Sequence, residues 1–350
     1  MKKIFPFFSI IIPTFNRVRF LDLAIRSIIR QNFTSYEIII SDNASTDGTK
    51  DLVLRYQKQG YPISYHRFKH KVAPQRNVLK GFYLAKGKYI FMLGDDDAIL
   101  KIDTLKKIYQ QANRYHPGFM KISVIFYYEN LETINDIYKG LLLPSGNKHI
   151  PLKYPALPLE MSDKFLEFIS GSIYKNDRKL LSYLNHDDVL YFSLPLIYEL
   201  SFRYGAVFLG NQYIIGRYFE TGHFFYNFIE PKFSLDTLLN NAKNYLKDSE
   251  SYQIFDQKQR RSALLHVVNW RLILSPKLLA VYINKIYIKD KWRYSNAVYY
   301  IQALILRLVP KFILLPLKRI YIFWNKKSIK NAIITKDLSY VLKSFINNIQ

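Results

Sequence analysis

The sequence predicts an α/β fold, with a mostly parallel sheet flanked by helices, followed by a basic helical region. Two observations support the sheet: short apolar runs alternate with amphipathic helical patterns, and polar clusters follow several of the apolar runs. A third observation concerns the C-terminal end, where acidic residues nearly vanish beyond about residue 255 while Lys and Arg recur. We therefore expect one large α/β unit and a chemically distinct appendage.

Strands and helices are predicted to alternate along the first hundred residues. Four apolar runs have the length and composition of buried strands, and they cover residues 7–12, 37–40, 63–68 and 89–93. Three segments between them place apolar residues on one helical stripe, and they cover residues 20–31, 49–58 and 74–85. The first apolar run ends at Pro13. This alternation predicts neighbouring parallel strands, each connected to the next through a helix.

The pattern continues less regularly after residue 97. The predicted elements are a helix at 103–114, a strand at 120–128, a short helix at 162–168, a strand at 169–174, a helix at 186–200 and one or two strands at 206–218. Residues 131–158 are predicted to be rich in loops, because proline and glycine recur there. A change of composition at residues 230–255 predicts a domain boundary.

Composition and charge restrict the class of partner. The 350 residues include 51 Lys and Arg against 27 Asp and Glu, a formal net charge of +24. Such a charge indicates a polyanionic partner: nucleic acid, an anionic membrane surface or a phosphorylated ligand. The chain has no cysteine, which excludes disulfides and thiolate metal sites. The longest uncharged apolar stretch near the C-terminal end, residues 294–306, is shorter than the roughly 20 residues that a spanning helix needs.

Three polar clusters lie where predicted strands end, at residues 13–17, 41–48 and 94–97. Ligands of an open parallel sheet bind at the carboxyl ends of its strands. Asp42 lies at a strand end, where its carboxylate could accept hydrogen bonds from a nucleoside. Residues 46–48 have the composition of an ordinary turn and helix cap. The first cluster is interpreted equally well as a helix start or as a ligand-binding loop.

The acidic cluster Asp95, Asp96 and Asp97 is the sharpest of the three signals. Adjacent carboxylates repel one another unless a cation neutralises them. Carboxylate oxygens are hard ligands that suit Mg²⁺ or Mn²⁺. A solvated acidic turn that interacts with the dipole of the next helix accounts for the same residues. Both interpretations stay open for this cluster taken alone.

Together the clusters resemble a known family, the family 2 glycosyltransferases with the GT-A fold, of the type that builds bacterial surface polysaccharides. The residues that carry the resemblance form four motifs in a fixed order: Phe8-Ser9-Ile10-Ile11-Ile12-Pro13-Thr14-Phe15-Asn16-Arg17, Ile40-Ser41-Asp42-Asn43-Ala44-Ser45-Thr46-Asp47-Gly48-Thr49, Gln75-Arg76-Asn77 with Gly81, Ala85, Lys86 and Gly87, and Tyr89-Ile90-Phe91-Met92-Leu93-Gly94-Asp95-Asp96-Asp97. The resemblance is specific over residues 7–97, weakens over 98–230 and is absent beyond.

The resemblance implies a metal-dependent, hexosyltransferase-like enzyme that uses a nucleotide-sugar donor. Residues that would hold the donor are Pro13, Thr14, Phe15, Asn16, Asp42, Arg76, Asp95 and Asp96. Asp95 and Asp97 would be the ends of the family's Asp-x-Asp motif, with Asp97 as the direct ligand of Mn²⁺ or Mg²⁺ and Asp95 facing the ribose or a metal-bound water. The metal would stabilise the negative charge that develops on the leaving nucleotide.

The resemblance also implies a catalytic base and a further metal ligand. Members of the family place an acidic residue at the start of a helix, and Asp187 and Asp188 are the nearest match here, although the usual Glu-Asp pair is absent. The two are not separated, and both fit equally a role as helix N-terminal carboxylates. His223 could complete the metal site, as a histidine does in some GT-A enzymes, or it could have a structural role. Direct displacement would invert the anomeric configuration.

The predicted division of the chain follows from these motifs. Residues 1–240 would form the catalytic domain, with a nucleotide-binding half at 1–97 and an acceptor half at 98–240, and residues 241–350 a basic, aromatic-rich helical region. That region could lie in a membrane interface, pack on the catalytic domain or bind nucleic acid. We expect a peripheral enzyme on the cytoplasmic face of the plasma membrane, acting on a glycan or lipid-linked saccharide and not on nucleic acid. A nucleic-acid-binding protein is the alternative.

Overall fold

A computed structural model of the protein describes residues 5–127, 137–141, 143, 146–150, 168–184 and 193–217, with a few further positions between 308 and 316. The strands in this part of the chain are β1 (Phe8–Thr14), β2 (Tyr36–Asp42), β3 (Ile63–Arg67), β4 (Tyr89–Met92), β5 (Asp97–Ile99), β6 (Phe119–Tyr127), β7 (Ile137–Leu141), β8 (Asn147–Ile150), β9 (Ser172–Lys175) and β10 (Ala206–Arg217). The helices are α1 (Val18–Ile29), α2 (Thr49–Lys58), α3 (Pro74–Leu84), α4 (Thr104–Tyr115) and α5 (Leu194–Tyr204), with a 3₁₀ helix at Arg178–Tyr183.

All ten described strands belong to one sheet in the order β3-β2-β1-β4-β9-β6-β10-β5, with β7 beside β6 and β8 beside β10. Strands β1 to β4 run parallel to one another, as predicted. The second half is mixed, because β9 runs antiparallel to both β4 and β6 and β5 runs antiparallel to β10. The predicted α/β fold is confirmed, with helices on both faces of the sheet.

The parallel half is held by two apolar layers, one on each face of the sheet. Ile10 and Ile12 of β1 pack in the layer that contains the apolar side of α1, whereas Ile11 packs in the layer that contains α3. Each of these isoleucines has no exposed surface. A strand buried on both faces requires a continuous apolar run, which is why β1 and β2 do not alternate apolar with polar residues. The layers position the strand ends, where the polar clusters begin.

Several boundaries differ from the predictions. β1 does not end before Pro13 but continues to Thr14, with Pro13 and Thr14 in parallel register with the end of β2. Residues 131–158, predicted as loops, contain β7 and β8, short strands that pair with β6 and β10. Their sequences carry little apolar periodicity, so only the neighbouring strands identify them. β9 begins at Ser172, three residues later than predicted, after a turn in which Gly171 has φ of +74°.

Other predictions fall partly on residues that the structure does not describe. The helix predicted at 186–200 is present as α5 from Leu194, and residues 185–192 lie outside the described part. The short helix predicted at 162–168 lies outside it as well, except for its last residue. The same holds for the boundary at 230–255 and for almost all of the basic C-terminal region. Among the residues that are described, no helix has the length and apolar character to cross a bilayer.

Asp47 connects the two loops that follow β1 and β2. Its Oδ2 accepts a hydrogen bond from the backbone N–H of Val18 at 2.8 Å, and its Oδ1 accepts one from Thr49 Oγ1 at 2.6 Å. Asp47 therefore accepts hydrogen bonds at the first residues of both α1 and α2, as expected of an aspartate near a helix start, although the N-cap positions themselves are Arg17 and Gly48. Partial burial would raise the pKa of Asp47, but the bonds from Thr49 and Val18 outweigh it and lower the pKa.

We expect Asp47→Ala to lower the free energy of unfolding by about 1–2 kcal/mol, because two helix starts lose an acceptor. Since the pKa of Asp47 is lowered by folding, this stabilisation is present above the ordinary aspartate pKa and is lost as the pH falls through the folded value. Urea unfolding at neutral and acidic pH measures both effects. Asp51→Ala, in the first turn of α2 and exposed, is the matched control and should change the stability little. Equal losses for the two variants would contradict the capping role.

Candidate active site

The three polar clusters meet at the carboxyl edge of the parallel strands. The backbone N–H of Asn43 donates to the carbonyl of Thr14 at 2.9 Å, which joins the ends of β1 and β2. Thr14 Oγ1 donates to Asp95 Oδ2 at 2.8 Å, which joins β1 to the acidic cluster after β4. Asn16, at φ of +51°, accepts a bond from the backbone N–H of Thr46 at 2.8 Å. Residues 81 positions apart are thereby in direct contact.

Arg17 provides a positive charge beside the acidic cluster. Its Nη1 lies 3.1 Å from Asp95 Oδ1 and 2.9 Å from Asp96 Oδ2. Asp95 is buried, and its pKa is raised to about 7 by burial and by the neighbouring charge of Asp96, against the opposing effects of Arg17 and Thr14. The guanidinium of Arg17 therefore contacts two carboxyl groups of the cluster at once.

Asp97 points into the protein at the first residue of β5. One of its oxygens, Oδ2, accepts a hydrogen bond from Ser170 Oγ, which itself accepts one from the backbone N–H of Gly94 at 2.7 Å. A Cβ at Gly94 would lie 2.5 Å from Asp97 Oδ2, and one at Gly216 would lie 2.6 Å from Oδ1. The carboxylate thus fits between two glycines that leave no room for a side chain. Burial, and next the charge of Asp96, raise the pKa of Asp97 well above its usual range.

Asp42 is fully buried at the end of β2. Its Oδ1 accepts a bond from the backbone N–H of Ser45 at 2.8 Å, and its Oδ2 accepts one from the hydroxyl of Tyr65 at 2.5 Å. Arg67 Nε lies 3.7 Å from the same carboxylate. Asp42, which is predicted to face a nucleoside, therefore stabilises the loop after β2 through hydrogen bonds in the protein interior.

Residues at the start of α3 complete this edge. Asn77 is buried, accepts a bond from Ser41 Oγ at 2.8 Å, and places its Nδ2 3.4 Å from the carbonyl of Thr14. Arg76 precedes it and is exposed in the first turn of α3. Phe15 is partly buried in the loop after β1, with Lys71 Nζ 4.4 Å from its ring centroid. The edge combines an aromatic ring, cationic side chains and a carboxylate cluster.

Residues 9–161, which contain all of these loops, match the model of the family described as Glycosyl transferase family 2. These residues, which make up less than half of the chain, are similar to family 2 glycosyltransferase domains. The resemblance seen in the motifs and the predicted enzyme class are both confirmed.

Two relatives of this transferase are sugar transferases by their names. GalNAc(5)-diNAcBac-PP-undecaprenol beta-1,3-glucosyltransferase of Campylobacter jejuni is 27% identical over 254 residues, which are 71% of this chain and 80% of the relative. Abequosyltransferase RfbV of Salmonella typhimurium is 41% identical over 96 residues, which are 27% of this chain and 29% of the relative.

Solved structures share the architecture of the transferase. S. aureus TarS 1-349 superposes with a TM-score of 0.58 and 16% identity, covering 80% of this chain and 78% of that one. TarS 1-349 in complex with UDP-GlcNAc gives a TM-score of 0.58 at 15% identity, covering 85% and 90%. At this identity the comparison concerns the fold alone, and it agrees with the predicted GT-A architecture.

In the described part of the transferase, a hard metal ion would need oxygen donors from a bound substrate or from water in addition to the protein carboxylates. This part contains no group of three or more His, Asp or Glu side chains placed to bind one ion. Asp95 and Asp97 nevertheless fit a cation, because both are buried carboxylates whose pKa values are raised first by burial and then by the charge of Asp96, and a bound cation would favour their ionised forms. Mg²⁺ and similar ions typically use one or two carboxylates and take their remaining ligands from substrate phosphates and water. His223, Asp187 and Asp188 lie outside the described residues.

Sequence reasoning missed three parts of this site. Ser170 and Gly216 contact Asp97 but belong to segments with no recognisable motif. Lys121 is fully buried in β6, where burial lowers its pKa to about 7 and the charge of Asp97 opposes that shift. A lone lysine within an apolar strand is the one signal that could have indicated it, because buried lysines need partners.

Proposed function

We propose that this transferase moves a sugar from a nucleoside-diphosphate sugar to a hydroxyl of a glycan or lipid-linked saccharide, in the biosynthesis of a cell-surface polysaccharide. The observation that carries the proposal is the contact of Thr14 and Arg17 with the acidic cluster, which places an aromatic loop and buried carboxylates at one sheet edge. A nucleoside and a diphosphate–metal group need those two environments side by side. The name of the Campylobacter relative, which specifies an undecaprenol-linked saccharide, supports the acceptor class.

The donor nucleoside would bind along residues 13–16, with Arg76 closing the pocket from α3. Asp42 stabilises the neighbouring loop after β2 by accepting a hydrogen bond from Ser45. Its Oδ2 already accepts from the hydroxyl of Tyr65, so Tyr65 has to move before the donor can bond to that oxygen. Asp95 and Asp96 would lie near the ribose and diphosphate. We expect donor binding to reorganise the hydrogen bonds at this edge.

Asp97 and Asp95 would hold Mn²⁺ or Mg²⁺ together with phosphate oxygens of the donor, and His223 is proposed as a further ligand. When bound, the metal supplies Lewis-acid stabilisation of the leaving diphosphate. Ser170 keeps the Asp97 carboxylate oriented, and the neighbouring glycines allow it to approach. Thr14 fixes Asp95 in the same way by donating to its Oδ2.

Asp187 or Asp188 is proposed as the base. In this step the acceptor oxygen bonds to the anomeric carbon while the bond to the diphosphate oxygen breaks, and the hydroxyl proton passes to the carboxylate. A single displacement inverts the anomeric configuration. Replacing each aspartate separately with asparagine should leave donor binding intact while one replacement stops transfer; if neither does, the base lies elsewhere.

Arg17→Gln is expected to lower the melting temperature, because Asp95 and Asp96 lose a countercharge. The loss should be partly recovered by Mn²⁺ without nucleotide, since the ion can replace the guanidinium charge. Wild-type protein should gain less from Mn²⁺ alone. Thermal denaturation across a Mn²⁺ titration measures this difference, with Arg26→Gln, a partly exposed arginine of α1 paired to Asp22, as the control. Equal gains for Arg17→Gln and wild type would show that Arg17 and the ion do not compete.

We propose that residues 241–350 attach a catalytic domain of residues 1–240 to the cytoplasmic face of the plasma membrane. The support is the charge of the chain, +24 in total, and the scarcity of acidic residues beyond 255. The full chain should sediment with anionic phospholipid vesicles and not with neutral ones. Sedimentation with neither vesicle would remove this part of the proposal.

Thermal stability with UDP, dTDP, GDP and CDP, each with and without Mn²⁺, tests the proposed function. Ligands that bind the folded state raise its melting temperature. A Mn²⁺-dependent increase with one nucleotide supports the transferase site and identifies the donor class. A short single-stranded RNA is the comparison: an increase with RNA and with none of the nucleotides would favour nucleic-acid binding.

A further inference from the structure

Lys121, the third residue of β6, is fully buried. Its ammonium group donates to the carbonyl of Phe168, to the carbonyl of Ser170 at 3.0 Å and to Ser172 Oγ at 2.7 Å. These acceptors account for all three ammonium protons. All three acceptors belong to one turn, residues 168–172, which leads into β9.

The turn itself is held on two sides by backbone hydrogen bonds. Gly171 donates to the carbonyl of Met92 at 3.0 Å and accepts from the backbone N–H of Ile122 at 3.0 Å. It has φ of +74°, and a Cβ there would lie 2.8 Å from Ile122 Cγ1. Lys121 adds the side-chain bonds that orient the residues on either side of this glycine.

Ser170 connects the turn to the acidic cluster through hydrogen bonds. Its carbonyl accepts from Lys121, while its hydroxyl donates to Asp97 Oδ2 and accepts from the backbone N–H of Gly94. Ser170 therefore contacts both ends of the segment that carries the three aspartates. A rotation of this serine would release the carboxylate and the backbone together.

A buried ammonium group is an expensive way to hold a turn. Burial of an ammonium group carries a desolvation cost, which its three acceptors in the 168–172 turn offset. Burial lowers the pKa of Lys121 to about 7, and the charge of Asp97 opposes this shift.

We propose that Lys121 is a positioning residue for sugar transfer, which acts through the 168–172 turn to keep Ser170 on Asp97 and on the N–H of Gly94. This inference rests on the proposed role of Asp97 at the diphosphate. Lys121 does not touch the donor; it sets the orientation of the carboxylate that does.

The test uses the full chain with Lys121→Met, Ser170→Ala and the double variant. Turnover is measured as release of nucleoside diphosphate at saturating nucleotide sugar and Mn²⁺, with the nucleotide that stabilises wild-type protein most. Each single variant should lose turnover about 10–100-fold, the usual range for residues that orient a metal ligand. The double variant should be no slower than the slower single variant, because both changes break the same chain of hydrogen bonds from Lys121 through Ser170 to Asp97.

Val124→Ala is the matched control, since Val124 is a fully buried residue of the same strand. It should lower the melting temperature while turnover stays within about twofold of wild type, because its contacts are ordinary packing. Hydrogen exchange provides a readout that needs no donor. The amide of Gly94 should exchange faster in Lys121→Met and in Ser170→Ala, and at the wild-type rate in Val124→Ala.

The outcomes separate this inference from the proposed function. Wild-type turnover in Lys121→Met, or losses of the two single variants that multiply in the double variant, would overturn the role of Lys121. Unchanged exchange at Gly94 would overturn it as well. Wild-type protein that responds to none of the nucleotides contradicts the proposed function instead, and the exchange measurement still decides whether Lys121 holds the turn.

Discussion

Asp97→Asn is expected to reduce the turnover of the transferase by about 10²–10³-fold, the size of effect seen when one group that stabilises transition-state charge is removed. Asparagine keeps the shape of the side chain and retains an oxygen that accepts from Ser170. It removes the negative charge that a metal ion would bind. Because burial and the charge of Asp96 raise the pKa of Asp97, ionisation of this group costs folding energy. The neutral variant should therefore be at least as stable as wild-type protein at neutral pH.

The measurement compares turnover at saturating donor with the melting temperature of the same preparation. Asp51→Asn, which changes the same charge on the exposed surface of α2, is the control and should leave both unchanged. A loss of turnover together with a large loss of stability would assign Asp97 to folding. Full activity of Asp97→Asn would remove it from the metal site.

Gly216→Ala should also impair transfer strongly, although Gly216 carries no reactive group. The new Cβ would lie 2.6 Å from Asp97 Oδ1, closer than a methyl carbon approaches in folded proteins. Asp97 has to move, because its Oδ1 is the atom that the new Cβ would meet first. A displacement of about 1 Å can reduce a catalysed rate by 10²-fold, and we expect a loss of about 10–100-fold. The overpacking should also cost about 1–3 kcal/mol of stability.

Ile215→Val controls for damage to β10, because Ile215 is a buried neighbour in the same strand. It should cost about 0.5–1.5 kcal/mol and leave turnover close to wild type. Donor titrations should show that Gly216→Ala acts mainly on turnover at saturation. If both variants lose turnover in proportion to their stability, the glycine serves only the packing of β10.

The first hundred residues could be predicted well because their signals are local. A run such as Ile10, Ile11 and Ile12 needs burial on both faces whatever the rest of the chain does, and the turn at Asp47 carries its own capping chemistry. β5 could not be predicted in this way. It has three residues, one of them Asp97, and it is a strand only because β10 pairs with it.

The same distinction applies to the site. The sequence by itself determined the resemblance to family 2 glycosyltransferases, the α/β architecture and the presence of three polar clusters at strand ends, because each rests on residues close together in the chain. Only the tertiary structure decided what surrounds the carboxylates: Arg17 beside Asp95, and Ser170, supported by Lys121, against Asp97. Ser170 and Asp97 are 73 positions apart. Contacts over such distances depend on strand order and register, which a local pattern does not contain.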